Sequence, residues 1–271
     1  MIRLIVLSLY EILILGITVL IAAMVLDLIN RSVGGCILRQ FGNAAYLAAT
    51  ALSTGLHELS HAIMCIIFLH RIESMALFSL DPTTGRSGYV RHTWRTGSSY
   101  QKVGNFFIGI APMITGVPLL LLLGAKCGVR LDVTRGVQVA LSGGSTHWTG
   151  PAVARHVIGP LLGGFTGLFT RDNFANPYFY LYLPAALVIS RAMAPSLQDL
   201  RGSGMGAAAL TVFVVLANAV ALFFWRDLSG LAAVITACSS ALLRVVGSAT
   251  ALSLFALCLL WVIGLIARRR R

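Results

Sequence analysis

Long apolar runs alternate with short polar ones along this chain of 271 residues. A bilayer span takes about 20 mostly apolar residues. Six runs reach that length, at 4–29, 45–69, 104–124, 177–198, 205–225 and 246–267. Two weaker runs, 156–170 and 229–243, are too short to span comfortably and read as interfacial or re-entrant helices. Between the second and third spans, 71–102 is polar. It carries turn signals at Asp81-Pro82 and Thr84-Gly85, then a β-branched and aromatic run from Gly88 to Arg95 that predicts a strand. A second insert, 125–176, is rich in Gly, Ser and Thr and has no readable period. The pattern predicts an all-α polytopic membrane protein of about six transmembrane helices, with a small β segment between the second and third.

Composition agrees with that reading. The chain is 57% hydrophobic and 11% charged, with a mean hydropathy of +0.85, whereas soluble domains carry roughly a quarter charged residues. The net charge of +12 would suggest nucleic acid in a soluble protein. Here the basic residues sit between apolar runs, where they set topology, and no nucleic-acid partner is expected. The tail Arg268 to Arg271 is expected in the cytoplasm, and six spans then place the N-terminus there too. The 71–102 segment becomes cytoplasmic, while 30–44 and 125–176 fall outside. The expected location is therefore multi-pass, in a bacterial inner (plasma) membrane. The apolar run through Met24 is too long for a cleaved signal and reads as a membrane helix. Five cysteines without CxxC spacing read as packing residues. The chain divides into 1–44 (a membrane helix and external loop), 45–200 (a core unit) and 201–271 (membrane helices and a basic tail). Its oligomeric state is not readable.

Ionisable groups inside a bilayer are expensive and point to function. The second span holds His57-Glu58-Leu59-Ser60-His61. On a helix His57 and His61 share a face about 6 Å apart, a spacing at which two imidazoles ligate one Zn²⁺. Glu58 beside them can act as general base on zinc-activated water. An extended zincin pattern would need a third histidine where Ile67 stands. The only later glutamate is Glu73, which nearly excludes a gluzincin-type ligand. The third-ligand candidates are Asp81, Asp132, Asp172, Asp199, Asp227, His70, His92, His147 and His156. Only Asp199 ends an apolar span, and that span runs parallel to the second. Helical rise puts Asp199 about 5–10 Å closer to the cytoplasm than His61, a gap that tilt or unwinding at Pro195 must close. The competing role for Asp199 is an interfacial cap paired with Arg201.

With those residues in hand, the chain resembles the site-2 protease family of intramembrane zinc metalloproteases. The similar features are His57-Glu58-Leu59-Ser60-His61-Ala62 on one span and an aspartate on a later one, with a β-type segment, a span and an external insert between them. The likeness covers about residues 45–200. The family usually shows an Asp-Gly pair after an Asn-Pro element, whereas Asp199 here precedes Leu200 and follows Pro195-Ser196. The resemblance implies hydrolysis of a peptide bond in or near a transmembrane segment of a membrane-protein substrate. It implies that His57, His61 and Asp199 hold zinc and that Glu58 activates water. Residues Gly88 to Arg95, with Gly88, Tyr89 and Val90 in contact, would offer an edge strand to the unwound substrate, or form a solvated hairpin. Asn105 would help bind an oxyanion, or serve as a cap or helix contact. The rival expectation is a metal-binding membrane protein without hydrolysis, either a transporter or a degenerate protease scaffold. A CaaX-type protease is disfavoured by the missing downstream glutamate.

Overall fold

Helix α1 runs from Ile2 to Ile67 and is broken at Gly42, whose φ of 80° and ψ of −178° are not helical. Positive φ suits glycine, which has no Cβ to clash. The chain folds back there. A Cβ on Gly34 would lie 3.1 Å from the Tyr46 ring, whereas a straight helix would separate the two positions by about 18 Å. The expected spans 4–29 and 45–69 are thus the two arms of α1. The external loop expected at 30–44 is not a loop, because the helix continues to either side of Gly42. Several polar side chains around it bond within the helix. Arg31 pairs with Asp27 at 2.8 Å, Ser32 bonds the Leu28 carbonyl and Arg39 bonds that of Gly35.

The computed structural model describes residues 2–79, 88–131, 150–196, 198–199 and 229–269, with short stretches between 208 and 223. After α1 come β1 (Arg71–Ala76), β2 (Tyr89–Thr93), α2 (Ser99–Gly109), α3 (Ala111–Lys126), α4 (Gly150–Leu168), α5 (Arg171–Ala175), α6 (Pro177–Ala192) and α7 (Ser229–Arg269). Two helices, Leu20–Ile67 and Ala237–Gly264, are long and apolar enough to cross a membrane. Counting α2 and α3 as one bent span makes three.

The expected six spans are not supported, for local reasons. The third, 104–124, is bent by 59° between α2 and α3, where Pro112 in the first turn of α3 supplies no N–H to continue α2. The fourth, 177–198, stops being helical after Ala192, leaving 16 residues, or about 24 Å. The fifth, 205–225, lies mostly outside the described residues. The runs 229–243 and 246–267 form one helix, α7.

Large apolar side chains such as Leu52, Ile66, Leu122, Leu181 and Trp261 are more than half exposed, a surface suited to lipid. Inside, Leu26, Met113, Phe179, Tyr182, Val245 and Val246 form one buried cluster joining α1, α3, α6 and α7. Helices α4 and α7 meet through glycines. Cβ atoms on Gly164 and Gly247 would collide with the backbone carbonyls of Arg244 and Leu161. Such small-residue contacts let membrane helices approach closely.

The small sheet is a two-stranded antiparallel pair with Ile72 opposite His92, Met75 opposite Val90 and a bulge at Glu73. The strand expected at 88–95 is β2. Its partner β1 comes from a stretch read only as polar. Ile72 and Val90 pack on Met64, Cys65, Ile108 and Ala111, which seats the hairpin on the ends of α1 and α2.

Candidate metal centre

The C-terminal arm of α1 presents His57 and His61 one turn apart on one face, as the four-residue spacing dictates. Their Nε2 atoms lie 3.1 Å from each other. Asp199 closes the group, with one carboxylate oxygen 3.3 Å from His57 Nε2 and the other 3.6 Å from His61 Nε2. The axial gap expected between Asp199 and His61 is closed by unwinding. The chain leaves α6 after Ala192, runs through 194–196 without regular structure and turns Asp199 back. A reciprocal cap fixes that turn. The Ser196 N–H donates to the Asp199 carboxylate at 2.7 Å, and the Asp199 N–H donates to Ser196 Oγ at 3.1 Å, the arrangement of a capping box.

The far side of each imidazole is held by a backbone carbonyl. His57 Nδ1 donates to the Ala192 oxygen at 2.9 Å, and His61 Nδ1 to the Ile108 oxygen at 2.7 Å. A carbonyl oxygen only accepts, so each Nδ1 carries its proton and each neutral ring turns a bare Nε2 inward. Two imidazole lone pairs and a carboxylate therefore converge with no donor among them. Such a set repels itself unless a cation sits between its members or an imidazole takes up a second proton. His57, His61 and Asp199 form a group that could hold a metal ion, its ligand atoms all within 4.8 Å of one another.

The chain matches no family model, no curated protein and no solved structure.

A cavity of about 670 Å³ adjoins the group. Glu58 lines it beside His57 and His61, as do Gly88, Tyr89 and Val90 of the hairpin and Asn105 of α2. All eight residues singled out from the sequence thus share one site. Gly88 lies against the base, since a Cβ there would lie 2.8 Å from Glu58 Cγ and 3.0 Å from the Leu77 carbonyl. Asn105 is 5% exposed and its Nδ2 has no partner among the described residues. It is not a cap, because Ser98 caps α2.

Among the described residues, the other third-ligand candidates do not join this group. Asp172 pairs with Arg130 at 3.1 Å, and His70 pairs with His92. Asp81, Asp132, Asp227, His147 and the side chain of His156 fall outside the described residues, as does Arg201, so a cap paired with it is not described.

Three features escaped the sequence reading. The Ser196 cap had a signal in the Ser-x-x-Asp spacing. The carbonyls of Ala192 and Ile108 had none, because any residue supplies a carbonyl. The pairing of His70 with His92 had none either, since 22 residues and a hairpin separate them. Burial lowers the pKa of His70, and burial with His70 and His61 nearby lowers that of His92 to about 4.

Proposed function

We propose that this chain is an integral-membrane zinc metalloprotease of the site-2 type, hydrolysing a peptide bond in or near a transmembrane segment of a membrane-protein substrate. The observation that carries the reading is the convergence of three acceptors with the far nitrogen of both histidines fixed by a carbonyl. Metal-ligating histidines are commonly oriented in this way. A tetrahedral zinc site with bonds of about 2.0–2.1 Å has edges of roughly 3.3 Å, close to the 3.1 Å between the two Nε2 atoms and the 3.3 Å from His57 Nε2 to one Asp199 oxygen, while the other Asp199 oxygen lies 3.6 Å from His61 Nε2. Two imidazoles and one carboxylate also form the donor set of open catalytic zinc sites.

Bound zinc would supply Lewis acidity, polarising a carbonyl and lowering the pKa of water. The chain's own residues do the rest. Glu58, outside the ligand set but in the same cavity, takes the proton from the attacking water and returns it to the leaving amine. Asn105 offers an unpaired amide donor to the oxyanion that develops on the scissile carbonyl. A helical substrate must unwind before its carbonyls can be attacked. Strand β2 pairs only with β1 among the described residues, and it lines the cavity from Gly88 to His92. Its outer edge can therefore take an extended segment by strand addition. In this reading the hairpin faces the cytoplasm, which its basic residues Arg71, Arg91, Arg95 and Lys102 favour.

The test is cleavage of a single-span membrane protein co-reconstituted with this chain in vesicles. Cleavage should occur with zinc, stop on chelation and return on zinc addition. Zinc binding without cleavage across a panel of spans would favour the non-catalytic metal-binding reading instead.

A further inference from the structure

Beside the metal group lies a second pair of histidines that the mechanism above leaves unused. His70, at the end of α1, is 6% exposed, and its Nε2 donates to the Gln101 carbonyl at 2.9 Å. Its Nδ1 is 3.0 Å from Nδ1 of His92 on β2. The Trp94 ring stacks on His70 with centroids 5.7 Å apart. The chain of roles follows from the carbonyl. His70 must carry its proton on Nε2, so in the neutral ring Nδ1 accepts, and His92 must donate from Nδ1. His92 is left with a bare Nε2. No described residue bonds that atom, and His92 lines the cavity that holds Glu58 and the metal group. The run ends on a carbonyl, which cannot pass a proton onward. It locks a tautomer and does not conduct protons.

We propose that His92 is a substrate-positioning acceptor, whose Nε2 takes a hydrogen bond from a main-chain N–H of the segment unwound for cleavage. This rests on the protease reading. The physical need is specific to a membrane site. Unwinding a helix frees backbone N–H groups, and each one left unpaired away from water is unfavourable. Strand addition to β2 serves only alternate N–H groups, because successive ones point to opposite edges. A fixed neutral acceptor beside the strand serves one of those left over. The low pKa of His92 keeps it neutral, and so an acceptor, at physiological pH.

Two substitutions separate this role from a structural one. His92→Asn keeps a donor where Nδ1 stood and loses the distal acceptor. His92→Gln places an amide oxygen near the position of Nε2. Kinetics on a reconstituted single-span substrate should show KM raised about three- to tenfold in His92→Asn. They should also show kcat and zinc content little changed, with KM largely restored in His92→Gln. In ¹⁵N spectra of the wild type, His92 should be protonated on Nδ1. Unchanged KM in His92→Asn, equal damage in both variants, or a proton on Nε2 would overturn the proposal while the protease reading stands. A wild type that cleaves no substrate would sink both.

Discussion

Glu58→Gln is expected to lower hydrolysis by about 10²–10⁴-fold, the usual contribution of general acid–base catalysis, and to leave the metal in place. The three groups that converge are His57, His61 and Asp199, and the Glu58 carboxylate is not among them. Glutamine keeps the size of the side chain and loses only the ability to take a proton. The measurement is turnover of a reconstituted substrate beside zinc content of the same preparation. Normal turnover in the variant would remove Glu58 from the mechanism. Loss of zinc along with activity would instead make Glu58 a ligand.

Gly88→Val is expected to cost at least a hundredfold in kcat/KM with zinc retained. The first atom of any side chain at position 88 meets Glu58 Cγ at 2.8 Å, Thr54 Cγ2 at 2.9 Å and the Leu77 carbonyl at 3.0 Å. Glu58 and Thr54 belong to α1, and Leu77 directly follows β1. The added bulk must therefore either lift the hairpin off α1 or push Glu58 aside. Displacements of about 1 Å at a catalytic centre cost on this scale. The three atoms nearest a side chain at position 88 belong to no metal ligand, so zinc content should be unchanged and Gly88→Ala should show a smaller loss. A fully active Gly88→Val would mean that the hairpin does not register the substrate against the base.

Much of the site was legible because it is local. The four-residue spacing of His57 and His61 survives any tertiary arrangement, and Glu58 travels with them. Asp199 was reached by elimination, and Pro195 marked where its helix gives way. The span count was less legible. Hydropathy measures how apolar a run is and does not locate breaks in the helix. It joined α2 and α3 across their bend before Pro112, and it separated 4–29 from 45–69 at 30–44, where the structure has a single break at Gly42. Strand β1 was missed because its side chains alternate between exposed and half-buried, so it has no fully apolar face to recognise. The backbone carbonyls that orient His57 and His61 carry no sequence signal at all. Yet they decide the protonation of both rings and hence the case for a metal.

The account stands or falls on whether three residues hold one zinc. Zinc stoichiometry of the purified protein in detergent, wild type beside Asp199→Ala, tests this most directly. The prediction is one zinc per chain in the wild type and its loss in the variant, because two imidazoles alone leave an incomplete site. A wild type that takes up no zinc after supplementation, or a variant that holds it equally well, would contradict the account.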